Sequence, residues 1–97
     1  MRVRWTLKAR NSLLDSTEYI RKANPEAATR VITKIHQTVS NLPQTPYLAP
    51  SSLDFPGYRE LYISNYPFVI WYRVKDTEQI VEVSFVWHTA QNRSKLV

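Results

Sequence analysis

The stretch VSFVWHTAQNR, Val83 to Arg93, carries a run of β-forming residues to Trp87, His88 and Thr89 and then turns polar. A histidine at the end of a strand is a common seat for a general acid or base, because an imidazole titrates near neutrality. The alternative is a strand-end histidine whose ring is hydrogen-bonded to loop backbone. The only other histidine, His36, falls beside an apolar helical stripe and reads as a helix-margin residue. The residues placed to accompany His88, either in proton transfer or in gripping an anionic partner, are Arg59, Arg73, Glu82 and Arg93, with Glu60 and Lys95 on neighbouring segments.

Composition narrows the chemistry. There is no cysteine, so disulfides and thiolate metal sites are excluded, and two histidines argue against a dedicated metal site. No cofactor is expected. The absence of cysteine fits a cytoplasmic protein. No apolar run reaches the ~18 residues of a membrane span, and the charged start MRVRWTLKAR has no signal-like apolar stretch. The net charge of +5 favours an acidic partner, either nucleic acid or an acidic protein segment. Arg2, Arg4, Lys8 and Arg10 form a basic N-terminal cluster, read as solvated surface or as target contact.

The elements that position these groups follow from periodicity. Met1, Val3 and Trp5 alternate with Arg2 and Arg4, as in a short strand. From Thr6 to Ala23, Ala9, Leu13, Thr17 and Ile20 line one face of a helix. ANPEAA then offers Asn24 as a cap, Pro25 at the first helical position and Glu26 in the first turn, opening a second helix to about Asn41. Its stripe is Ala28, Ile32, Ile35, Val39 and Leu42, with Val31 beside it. Residues 43–57 hold four of the six prolines and the only glycine, so they form a long irregular loop. Three strands complete the chain: YRELYI, PFVIWYRVK and QIVEVSFVWH. The order β-α-α-β-β-β predicts one α+β domain over residues 1–97, a helical hairpin on one face of a mainly antiparallel sheet.

A two-residue turn at Asp76 and Thr77 sets Lys75 against Glu78, Tyr72 against Val81, Ile70 against Val83 and Phe68 against Phe85. Phe68, Ile70, Tyr72, Val74, Val81, Val83 and Phe85 then share an apolar face under the helices, which Trp87 continues. The open face takes Val69, Trp71, Arg73, Ile80, Glu82, Ser84, Val86 and His88. Trp71 there is a large apolar group away from the main core, a mark of a binding surface.

The segments W-T-x-K-A-x-x-x-L, YIRKANPEAA, LPQTP, RELYISNYPFVIWYRV and VEVSFVWHTAQNR, in this order and spacing, resemble the RelE/ParE superfamily over almost the whole chain. These are toxins of type II toxin–antitoxin modules, sometimes called plasmid stabilisation proteins. The resemblance implies two helices on a curved antiparallel sheet and growth arrest as the activity. It implies a cognate antitoxin that wraps an extended, often acidic segment around the toxin, with a higher-order oligomer of the two allowed. The target it implies is DNA gyrase for ParE-like members, or mRNA on the ribosome for RelE-like endoribonucleases.

Cleavage of RNA by its 2′-hydroxyl needs a base, an acid for the leaving oxygen and cations for the charged phosphorane. His88, Arg59 and Arg73 are the candidates for a ribonuclease. RelE-like cleavers tend to carry an arginine near the start of the strand that here reads PFVIWY, and a tyrosine near the C-terminus. Phe68 and Val69 occupy the first position, and no tyrosine follows Tyr72. Glu82 and His88 lie six residues apart on one strand, about 20 Å at ~3.3 Å per residue, too far for an acid–base pair. YPFVIWYRV together with HTAQNR looks closer to ParE-like members, which lack the nuclease constellation, with the ribosome-dependent ribonuclease as the alternative. Antitoxin or target contact is assigned to Arg59, Trp71, Arg73, Glu82, His88 and Arg93.

Overall fold

The computed structural model describes residues 1–90. Its elements are β1 (Arg2–Trp5), α1 (Leu7–Ala23), α2 (Pro25–Ser40), β2 (Arg59–Tyr62), β3 (Phe68–Lys75) and β4 (Ile80–His88). The sheet order is β1-β4-β3-β2, with β1 parallel to β4 and the other pairs antiparallel. Two helices thus pack on a mixed four-stranded sheet.

Local chemistry sets the helix ends. The Thr6 hydroxyl accepts from the Ala9 N–H at 3.0 Å, capping α1. Asn24 works in both directions. Its N–H closes α1 on the Ile20 carbonyl at 2.7 Å, and its side-chain oxygen accepts from Ala27 N–H at 3.1 Å to open α2. Pro25 follows where its missing N–H costs nothing. The helices bury Ala9, Leu13, Val31, Ile35 and Val39, joined by Leu42 just past α2, against Phe68, Ile70, Tyr72, Val81, Val83 and Val86.

The loop after α2 is held from beneath. The Tyr72 hydroxyl, at the end of a fully buried side chain, donates to Pro46 O at 2.8 Å and accepts from Ala49 N–H at 3.3 Å. Burial raises the pKa of this phenol, so it stays a neutral donor. Arg59 donates to Ala49 O at 2.6 Å, and its guanidinium lies over the Tyr47 ring. The loop is a pinned crossover, with Leu53 fully exposed on it.

The register of the last hairpin differs from the sequence expectation, and in two steps. Lys75 pairs with Ile80, not Glu78, so the turn is Asp76–Gln79. A two-residue hairpin turn needs positive φ at one or both central residues, which Asp-Thr does not favour. The chain uses two more residues and puts the positive φ, 56°, on Gln79. The second step is a bulge. Tyr72 pairs with Val83 and Trp71 with Phe85, leaving Ser84 as an extra residue in β4.

The bulge reverses every side chain beyond it. Val86 faces the helices and is fully buried, where Phe85 and Trp87 were expected. Phe85 and Trp87 turn to the opposite face, beside Trp71 and Val69. His88 pairs with Phe68 and so sits at the helix-side end of the sheet, not on the open face.

Helix α1 completes the bulged strand. β1 stops at Val83, so β4 has no strand neighbour on that side beyond it. There the buried Ser12 hydroxyl accepts from Val86 N–H at 2.9 Å and donates to Ala9 O at 2.9 Å. Ser12→Ala is expected to leave a buried N–H unpaired, costing about 1–2 kcal/mol after a small gain in helix propensity. The check is a chemical denaturation midpoint. An unchanged midpoint would show that the Val86 N–H does not depend on Ser12.

Candidate functional site

The sheet face away from the helices carries two adjoining clusters. The first is ionic. Glu82 pairs across the sheet with Arg73 and, on the other side, with Arg4. Its Oε1 accepts from Arg73 Nε at 2.8 Å and its Oε2 from Arg4 Nη2 at 2.6 Å, while Lys75 Nζ stands 3.5 Å from Oε2. Arg4 and Lys75 also reach Glu78 in the turn. One carboxylate, 7% exposed at its side chain, thereby ties three strands together.

The second cluster is aromatic. Trp71 lies on this face as expected, yet it is 2% exposed. Phe55 from the long loop stands edge-on to it at 5.5 Å, and Phe85 does the same from β4 at 6.4 Å. Trp71 Nε1 donates to Glu60 Oε1 at 3.0 Å, and Glu60 also accepts from Ser52. Lys8 of α1 sits 4.6 Å above the Phe85 ring. Arg73 lies over Tyr58 at 5.5 Å and joins the two clusters.

The expected site residues do not converge. Arg73, Glu82 and Trp71 share this face. Arg59 is half-buried at the loop, on the helix side of the sheet through its pairing with Tyr72. His88 is on the helix side too, with its ring edge-on to Phe68 at 5.0 Å and its Nδ1 accepting from Ala90 N–H at 3.0 Å. Glu82 sits opposite Arg73, where Trp71 was expected. Arg93, with Lys95, lies outside the described residues. His36 is exposed on α2 and stacks on Trp5 at 4.9 Å. Sequence reading missed Lys8, Phe55, Tyr58, Ser84 and Phe85 as a group. Only Lys8 carried a signal, as one member of a basic cluster.

The groups that do converge are ill-suited to proton transfer. Burial alone would raise the Glu82 pKa, but hydrogen bonds from Arg4 and Arg73, with the charges of Arg73 and Lys75, outweigh it and hold the carboxyl at about 2. A carboxylate that resists protonation so strongly is a poor base near neutrality. Among the described residues, no group of three or more His, Cys, Asp or Glu side chains is arranged to hold a metal ion. No helix among them is long and apolar enough to cross a membrane. Beside the aromatic cluster, a groove of about 390 Å³ runs between α1 and the end of β4, walled by Leu7, Asn11, Asp15, Phe85 and Trp87.

The depressed carboxyl predicts an acid response. The folded pKa lies below the ordinary ~4.3 of an unfolded glutamate, so the stabilisation is complete above that range and is lost as pH falls toward 2. Glu82→Gln should flatten this acid arm. At neutral pH it should cost on the order of 2 kcal/mol, reduced from a fully buried value because Arg4 and Arg73 are 44% and 42% exposed. Urea midpoints of both proteins between pH 2 and 7 test this. Parallel pH profiles would remove Glu82 as the source.

The comparisons agree with this architecture. The family model described as ParE toxin of type II toxin-antitoxin system, parDE, matches residues 3–93. Y4kP of Sinorhizobium fredii, provisionally named a toxin, is 35% identical over 91 residues, which are 93% of this chain and 90% of that protein. A chain of the chromosomal ParDE toxin–antitoxin system from P. aeruginosa superposes with a TM-score of 0.78 at 26% identity, covering 91% of this chain and 95% of its own. A chain of the RelBE2 toxin–antitoxin complex from Mycobacterium tuberculosis gives 0.56 at 22% identity, covering 90% and 95%, a likeness in fold alone. With the family match spanning nearly the whole chain and the same two-helix, four-strand fold in its relatives, the protein belongs to the ParE toxins of type II toxin–antitoxin systems.

Proposed function

We propose that this toxin arrests growth by inhibiting DNA gyrase, as its resemblance to ParE-like members implies, and that a cognate antitoxin neutralises it in the cytoplasm. The observation that carries the non-hydrolytic reading is the dispersal of its acid–base groups. His88 and Glu82 lie on opposite faces of the sheet, and both Glu82 oxygens are engaged by arginines. A ribonuclease needs an acid and a base on either side of one phosphate, and the described residues do not bring such a pair together.

The antitoxin reading rests on charge and on exposed apolar surface. A net charge of +5 attracts an acidic segment. Leu7 and Leu14 on α1 are 74% and 52% exposed, and Leu7 borders the groove against Phe85 and Trp87. Such a surface suits an extended partner that buries apolar side chains and carries acidic ones at its rim.

Purified toxin is expected to block supercoiling by gyrase and to leave mRNA on ribosomes uncut. Cleaved message with gyrase unaffected would reverse the assignment in favour of a ribosome-dependent ribonuclease. His88→Ala should keep toxicity on induced expression, because the ring serves the strand end. Loss of toxicity in a variant that still folds would give His88 a direct role. A small acidic reading frame is expected to adjoin this gene, and its co-expression should restore growth.

A further inference from the structure

Exposed large apolar side chains gather mainly in two places. Leu7, Leu14 and Tyr19 lie on α1, in a helix that also carries Lys8, Arg10, Arg21 and Lys22. Tyr47, Leu48 and Leu53 lie on the loop between α2 and β2. Tyr47 is used within the fold, with its ring under the Arg59 guanidinium and its hydroxyl donating to Asp76. Leu48 and Leu53 are left for solvent or a partner.

Charge separates the two places. The chain carries 13 lysines and arginines, and residues 35–58 hold none of them. The one acidic residue in that stretch is Asp54, next to Leu53. The two arginines that adjoin the loop are both engaged. Arg59 is turned onto Ala49 O and the Tyr47 ring, and Arg73 is tied to Glu82 beneath Tyr58. An acidic antitoxin segment and a nucleic-acid backbone each need cations to meet their charge. Helix α1 supplies them and the loop does not. The loop therefore fits a third kind of partner, a protein surface that offers an apolar pocket.

A single surface leucine is ordinary. Leu53 is set apart by the backbone that presents it. The buried Ser52 donates its N–H to Tyr58 O at 2.7 Å and its hydroxyl to Glu60 Oε1 at 2.7 Å, and its oxygen accepts from Phe55 N–H at 3.0 Å. Tyr58 N–H closes on Phe55 O at 3.2 Å, and the Phe55 ring is seated against Trp71. Gly57 takes a φ of 88° where an added Cβ would meet nothing within 4 Å, so its glycine serves the turn rather than a close approach. Leu53 stands out of this clamped turn at 99% exposure. A side chain on a backbone already fixed costs less ordering when it enters a pocket.

We propose that Leu53 is the anchor by which the toxin engages its protein target, on a surface separate from the one that takes the antitoxin. Asp54 beside it repels a phosphate backbone or an acidic segment at the same spot. The proposal rests on the reading of this chain as a toxin that acts on a protein, and not on that protein being gyrase.

The test compares wild type with Leu53→Asp in gyrase supercoiling, in growth arrest at matched expression, and in calorimetric titration with the cognate antitoxin, with thermal unfolding alongside. Leu53→Asp is expected to keep its melting temperature, because the side chain is already in water, and to keep its antitoxin affinity. It should raise the toxin concentration for half-inhibition of gyrase by about tenfold or more, as loss of one buried leucine does, and relieve growth arrest. Leu14→Asp on α1 should instead lower antitoxin affinity. Undiminished gyrase inhibition and growth arrest by Leu53→Asp would overturn the anchor and leave the gyrase assignment standing. Wild type that leaves gyrase untouched would overturn that assignment, while relief of growth arrest by Leu53→Asp would still support the anchor. The anchor is also overturned if Leu53→Asp loses antitoxin affinity, or if it turns a dimeric toxin into a monomer, since the tip would then serve the antitoxin or a second copy.

Discussion

The extra residue at Ser84 decides which side chains of the last strand meet the helices. Side chains alternate along a strand with a period of two, so one inserted residue exchanges the faces for everything that follows. Before Ser84, Val81 and Val83 point into the core and Glu82 points away from it. After it, Val86 points into the core, while Phe85 and Trp87 join Trp71 on the other side. β4 lies between β1 and β3, so this reversal acts at the centre of the sheet. A strand running through without the bulge would send Val86 to the open face and remove the N–H that Ser12 holds.

The two faces of the sheet therefore have different physical characters. The helix side is a continuous apolar core, closed at the loop by the Tyr72 hydroxyl. The other side is half ionic and half aromatic. Glu82 binds Arg4 and Arg73 so firmly that the carboxylate acts as a fastener between strands rather than as a reactive group. Phe55, carried by the proline-rich loop, covers Trp71, so that loop serves the second face as well as crossing from helix to sheet.

This division decides which side chains each face of the sheet can present to a partner. A shared fold does not supply a shared activity, since function resides in the side chains it brings together. Here the sheet presents ion pairs that satisfy one another, rings, and a lysine, while the histidine is turned to the opposite side at the strand end. Contact with partners through charge and apolar surface is within reach of such a face.

Much of this was legible from the amino-acid order because it is local. Helix starts at Thr6 and Asn24, the apolar stripes of α1 and α2, and the three C-terminal strands depend on residues within a turn or two of each other. The motif set also identified the family, since order and spacing are properties of the chain itself. Trp71, Arg73 and Glu82 were placed on the correct face because they precede or lie opposite the unbulged part of the hairpin. Tertiary structure alone decided the rest. VSFVWH alternates acceptably in either register beyond Ser84, since both sets of residues are large and apolar enough to be buried. The choice fell to the hydrogen bond that the Val86 N–H donates to Ser12, 74 residues away on α1, and to the cover that Phe85 gives Trp71. Neither is visible in a window of sequence, because both are contacts between segments that only folding brings together.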